Sequence, residues 1–159
     1  MTEVTPEMLD ELLPLATAWA EEEEARILAE GEPLTKEQRA DASWLGVTRL
    51  DRVRLLSVEN IPAPEHPVLR AAGQAMQLIS PFTAGLTLRH GIYLRQDFAQ
   101  DRYLIAHELV HTAQYERLGG IAPFLRRYLH ECLSVGYPEA PLEQEAVLKT
   151  EALREKRGG

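Results

Sequence analysis

The stretch from Asp101 to Gly120, DRYLIAHELVHTAQYERLGG, constrains this 159-residue chain more than any other. Its apolar positions recur with helical period, and Gly119-Gly120 supply a stop. At about 100° per residue, with His107 at zero, His111 falls at about 40°, Gln114 at about −20° and Glu108 at about 100°. Ile105, Ala106, Leu109, Val110 and Ala113 fill the arc from about 160° to about 300°. The helix is apolar over most of its circumference and carries one narrow polar stripe. A surface helix would show charge across its whole outer face. This one is expected to be buried, with a stripe that must find partners other than bulk water.

The stripe contains His107-Glu108-Leu109-Val110-His111. Two imidazoles four residues apart project from one face, one turn apart, which is the separation needed to grip a single small cation. Zn²⁺ takes nitrogen ligands of this kind, and His-Glu-x-x-His on a helix is a recognised zinc-hydrolase pattern. From its own angle Glu108 can reach a water on the metal without binding the metal. Two core histidines bonded to neighbours would account for a lone buried imidazole, but less well for the full pentad on an apolar helix. A metzincin would need glycine and histidine three and six residues after His111; Gln114 and Arg117 stand there, so that class is rejected. A later helix offers two carboxylates in Pro141-Leu142-Glu143-Gln144-Glu145-Ala146. They point about 200° apart, so only one can join the histidines.

Three segments, LTLRHGIYL, LIAHELVHTAQYERLGG and GYPEAPLEQEA, resemble the gluzincin metallopeptidases. The likeness is closest to the small minimal bacterial members (minigluzincin-like) and covers Val53 to Ala152. It implies a strand before the active-site helix and a ligand glutamate on the following helix, often as Glu-x-x-Ala. Glu143, with Ala146 three residues on, matches; Glu145 is the reserve. It further implies zinc-dependent hydrolysis of peptide bonds with Glu108 as general base, and a sheet edge at Leu86–Leu88 or Ile92–Leu94 that takes an extended peptide. Many gluzincins carry aspartate four residues after the ligand glutamate, where it orients a zinc-bound histidine. Val147 stands there instead, or Lys149 if Glu145 is the ligand, so another group must do this.

A stabiliser for the developing oxyanion is sought among Tyr137, Tyr128, His130 and Arg126, with Tyr137, just before the ligand helix, preferred. The segment Glu131-Cys132-Leu133-Ser134 is similar to the cysteine segment of peptide deformylases. It follows the histidine helix instead of preceding it and lacks the glycine, so Cys132 reads as a small buried hydrophobe and His130 as a surface or helix-end residue. Two alternatives stand beside the peptidase: a catalytically inactive zinc-binding structural or interaction domain, and a zinc hydrolase of a non-peptide amide.

The formal net charge of −8 argues against a nucleic-acid partner, and no lysine/arginine cluster reverses it. A single cysteine excludes an internal disulfide framework. The acidic N-terminus lacks the basic and apolar regions of a signal peptide, and no stretch approaches the roughly 20 apolar residues of a membrane span. A cytoplasmic protein with a peptide or protein substrate and no membrane partner is expected.

Thr5-Pro6-Glu7 opens a helix to Glu30 that Pro14 is placed to kink or split. Thr35 opens a second. Val53–Val58 reads as a strand, Ile61-Pro62-Ala63-Pro64 as a rigid connector, and Pro67–Ile79 as a helix stopped by Ser80-Pro81. Strands Leu86–Leu88 and Ile92–Leu94 flank a turn at Arg89-His90-Gly91. Helices follow over Gln100–Leu118, Ala122–Leu133 and from Pro141. The expected class is α+β, mainly helical: one domain over 1–159, with an N-terminal helical segment 1–50 and a zincin-like core 51–155 whose small sheet packs beside the motif helix. The long acidic first helix is left with two roles, a cover over the site or a dimer contact.

Overall fold

The computed structural model describes residues 3–78, 80 and 82–158. Helix α1 (Pro6–Glu30) begins where the Thr5 hydroxyl accepts from the Met8 amide and Pro6 fills a position that needs no donor. It runs through Pro14 as one helix. Gly31 ends it, and the chain turns directly into a two-residue strand, β1 (Glu32–Pro33), that the sequence reading did not anticipate. Helix α2 (Lys36–Trp44) opens on a reciprocal cap between Thr35 and Gln38. Strand β2 (Arg54–Val58) follows a short helical turn at Leu50–Arg52. Helix α3 (Pro67–Ala75) ends earlier than its periodicity suggests, because Gln77 takes a positive φ of 60° that leaves the helix. Ile79 and Pro81, expected at its end, lie outside the described residues.

Strands β3 (Gly85–Leu88) and β4 (Gly91–Arg95) form the expected hairpin. Its turn places Arg89 at φ 61°, which a non-glycine residue adopts only with help from its surroundings. The help comes from α1. The buried Glu24 carboxylate accepts from the Arg89 guanidinium at 2.7 and 2.9 Å and from the His90 amide at 3.0 Å. The sheet runs β1-β2-β4-β3: β2 lies parallel to β4, and the other two pairings are antiparallel. β3 is therefore an edge strand.

β4 is buried on both faces, which explains its unbroken apolar run Ile92-Tyr93-Leu94. One face, with Ile92 and Leu94, packs with Val53 and Leu55 against Leu109, Val110 and Ala113 of helix α4 (Arg102–Leu118). Leu153 of helix α6 (Pro141–Gly158) completes that cluster. The other face, with Leu88 and Tyr93, packs against Ile27 of α1 and Phe124 of helix α5 (Ile121–Val135). Ile27 sits so close to β4 that a Cβ at Gly91 would come within 2.9 Å of it. The protein is thus mainly helical with a small mixed sheet, and α1 supplies one wall of a shared core. None of the residues lining the large cleft belongs to α1, so among the described residues it is not a cover.

Candidate metal centre

Helix α4 is framed by its own termini. Asp101 accepts from the Tyr103 and Leu104 amides at 3.1 and 3.0 Å, and Gly119 closes the other end at φ 100°. Between them the helix is enclosed, with Glu108 through Tyr115 all buried. Glu108, His111 and Gln114 of the polar stripe are buried as expected while His107 is half-buried, and their partners are now visible. Gly136 (φ 89°) breaks α5, and the chain returns as α6, whose first turn presents Glu143. The Glu131 carboxylate accepts from the Leu142 amide at 2.9 Å and fixes that turn.

The Nε2 atom of His107 lies 2.5 Å from Oε1 of Glu143, and Nε2 of His111 lies 3.2 Å from Oε2. All three ligand-capable atoms fall within 4.8 Å of one another, so the group can hold a metal ion. Burial alone would raise the Glu143 pKa, but the hydrogen bonds with His107 and His111 outweigh it and hold the carboxyl well below its usual range. Burial pushes His111 down, yet the Glu143 bond and the nearby carboxylates leave it above its ordinary value. A cation placed among these atoms would satisfy the carboxylate and both imidazoles at once. Glu145 points elsewhere: its carboxylate accepts from Gln114 at 2.7 Å and from Arg117 at 3.0 Å.

The orienting group for His111 is Gln114. Its side-chain NH₂ donates to the Leu142 carbonyl at 2.8 Å and to Glu145. Both are acceptors, so the Gln114 oxygen must face His111 Nδ1, 2.8 Å away. His111 therefore carries a proton on Nδ1, which leaves Nε2 as the nitrogen a cation would take. The sequence reading placed Gln114 in the same stripe as both histidines, which was the available signal, without assigning it this role.

Glu108 is buried and stands outside the ligand group. The Thr87 hydroxyl, on β3, lies 2.7 Å from its Oε1 and 3.0 Å from its backbone oxygen. A Cβ at Gly85 would meet Glu108 Oε2 at 2.9 Å, so the absence of a side chain there gives the carboxylate its place. Tyr115, stacked on Phe124, donates to the Thr87 carbonyl and pins the same strand. Neither Gly85 nor Thr87 could be found from the sequence, because only the fold brings β3 to the helix.

Above these residues opens a cleft of about 930 Å³, with β3 and the start of α4 on one side and α6 on the other. Tyr128 and Tyr137 both line it. The Tyr128 hydroxyl donates to Glu143 Oε2 at 2.8 Å, and burial pushes its pKa well up. Burial, then the Glu143 charge, likewise raise Tyr137. The other oxyanion candidates are elsewhere. His130 lies 3.0 Å from Asp10 of α1, and Arg126 lines a different surface depression. Cys132 is buried, stands outside the ligand group, and has its thiol pushed up to about 12 by burial and the Glu143 charge. No helix among the described residues is long and apolar enough to cross a membrane. Comparison with family models, with curated proteins and with solved structures returns no match for this chain.

Proposed function

We propose that this protein is a zinc-dependent metallopeptidase of minimal gluzincin type, held by His107, His111 and Glu143 and acting in the cytoplasm. The observation that carries the reading is the pairing of two buried features: a convergent two-imidazole, one-carboxylate group, and beside it a separate carboxylate, Glu108, facing the same cleft. Two histidines and a glutamate are the donor set of catalytic zinc sites, and three protein ligands leave a coordination position open. When bound, zinc polarises a carbonyl and lowers the pKa of water toward about 7.

The remaining work falls to the chain's own groups. Glu108, held by Thr87, takes a proton from the attacking water and returns it to the leaving nitrogen. Tyr137, with Tyr128 beside it, donates a hydrogen bond to the oxyanion. The free side of β3 takes a substrate strand by backbone hydrogen bonds, along a wall that includes Gly85, Leu86 and Thr87.

A peptide-library digest with zinc-loaded protein tests this. Cleavage that stops on chelation and is lost in Glu108→Gln, with zinc content unchanged, is expected. Protein that binds zinc yet cleaves no peptide would overturn the peptidase reading. It would then favour a structural zinc domain, or an amide hydrolase if deacetylation or deformylation assays succeed.

A further inference from the structure

Four arginines of this acidic chain converge on one surface pocket. Arg39 of α2 and Arg49, Arg52 and Arg54 of the following segment line a second pocket of about 620 Å³, in which Asp51 is the one acidic lining residue among those described. Spread over sixteen positions and interrupted by apolar and acidic residues, they do not read as a basic run; the fold gathers them. The local balance is four guanidinium groups against two carboxylates, those of Asp51 and Glu116, in a chain of net charge −8.

Two of the four are held in place. Arg39 donates to Asp51 Oδ1 at 2.6 Å, and Arg54 donates to the Asp51 and Val53 carbonyls at 2.8 and 2.9 Å. The backbone beneath the other two is clamped, because the Glu116 carboxylate accepts from the Thr48 and Arg49 amides at 2.9 and 3.0 Å. The side chains of Arg49 and Arg52 have no partner among the described residues, and neither is paired with a carboxylate. Leu28 and Leu50 supply an apolar wall.

We infer that this pocket binds a small molecule carrying a di- or triphosphate group. Guanidinium forks match phosphate oxygens in pairs. A compact polyphosphate offers several such oxygens at once and relieves the mutual repulsion of four like charges. The volume exceeds what a bare phosphate chain fills and falls within the range of small-ligand pockets. That leaves room for an organic group against Leu28 and Leu50. The site is separate from the metal centre and does not depend on the peptidase reading.

Inorganic tripolyphosphate, titrated to about 10 mM into the ¹⁵N-labelled full chain at about 50 mM salt, tests the inference. Saturable shifts of the amides of residues 48–54 are expected, weakened at least about tenfold in Arg49→Ala/Arg52→Ala. Both side chains are exposed, so that variant keeps its fold. Arg70→Ala/Arg127→Ala, which removes the same charge on other helices, should bind as the unaltered chain does. Metal drawn from the cleft by the probe would be read at residues 107–111 and 143 instead. Absence of saturation, or equal weakening in both double variants, would overturn the proposal. So would tighter binding of an unphosphorylated oligonucleotide than of tripolyphosphate, in favour of nucleic acid.

Discussion

Replacing Gln114 with methionine removes the side chain on which the two ligand-bearing helices meet, while nearly conserving volume. Gln114 is fully buried and makes three hydrogen bonds: to His111, to the Leu142 carbonyl and to Glu145. Each contributes about 1 kcal/mol net, and a buried group left without its partner costs about 1–3 kcal/mol. Glu145 keeps Arg117, so the loss concentrates on His111 Nδ1 and the Leu142 carbonyl. The sum is about 2–4 kcal/mol. For a chain of this size, 1 kcal/mol moves Tm by about 2–4 °C, so the transition falls by roughly 5–15 °C. Metal affinity should fall separately, by about 10–100-fold, because nothing then fixes the tautomer and ring angle of His111. Calorimetry reads the first effect, and zinc competition against a chromophoric chelator reads the second. Gln114→Glu keeps an acceptor for Nδ1 but repels Glu145, so it should retain much of the affinity while losing stability. A lowered Tm with zinc affinity unchanged in Gln114→Met would refute the argument that this amide orients the ligand.

Glu143→Ala should abolish stoichiometric zinc binding measured by metal analysis, whereas Glu145→Ala should leave at least half of it; the reverse order would mean the wrong carboxylate has been assigned. Gly85→Ala places a methyl 2.9 Å from Glu108 Oε2 and must displace that carboxylate. A displacement approaching 1 Å costs up to about 10²-fold, so kcat should drop about 10- to 100-fold with KM and zinc content little changed. In the turn clasp, burial acts to raise Glu24, but the Arg89 guanidinium and the His90 amide outweigh it and keep the carboxyl below its ordinary value. A lowered folded pKa adds stability above the unfolded value of about 4.3 that is lost as pH falls through the folded one. Glu24→Gln should therefore cost about 2–3 kcal/mol at pH 7, the half-exposed Arg89 taking the estimate below that of a wholly buried pair. In denaturant titrations the gap between the two proteins should close below about pH 4; a constant gap would show that charge is not its source.

Local periodicity carried most of the fold. The caps at Thr5 and Thr35, the apolar face of α4 and the stop at Gly119 are all set within a few residues, and the helices lie where those signals put them. The histidine pair was legible for the same reason, since one helical turn determines it. Choosing Glu143 over Glu145 needed more than spacing, because only the docking angle of α6 decides which face meets α4. β1 escaped notice because two residues ending in proline carry no alternation. Arg89 supports a turn geometry that composition would assign to glycine or asparagine, and its clasp comes from Glu24, 65 positions away. Gly85, Thr87 and the four arginines are likewise products of long-range assembly, so no window along the chain displays them.

The Glu24 clasp gives the first helix an unexpected standing. The hairpin whose outer strand seats Glu108 is itself held by a residue of the first helix. Severing the chain near Gly31 would therefore not unmask the cleft, as trimming a propeptide does. It would loosen the strand that seats Glu108, and under the proposed peptidase function such a cut is an off-switch.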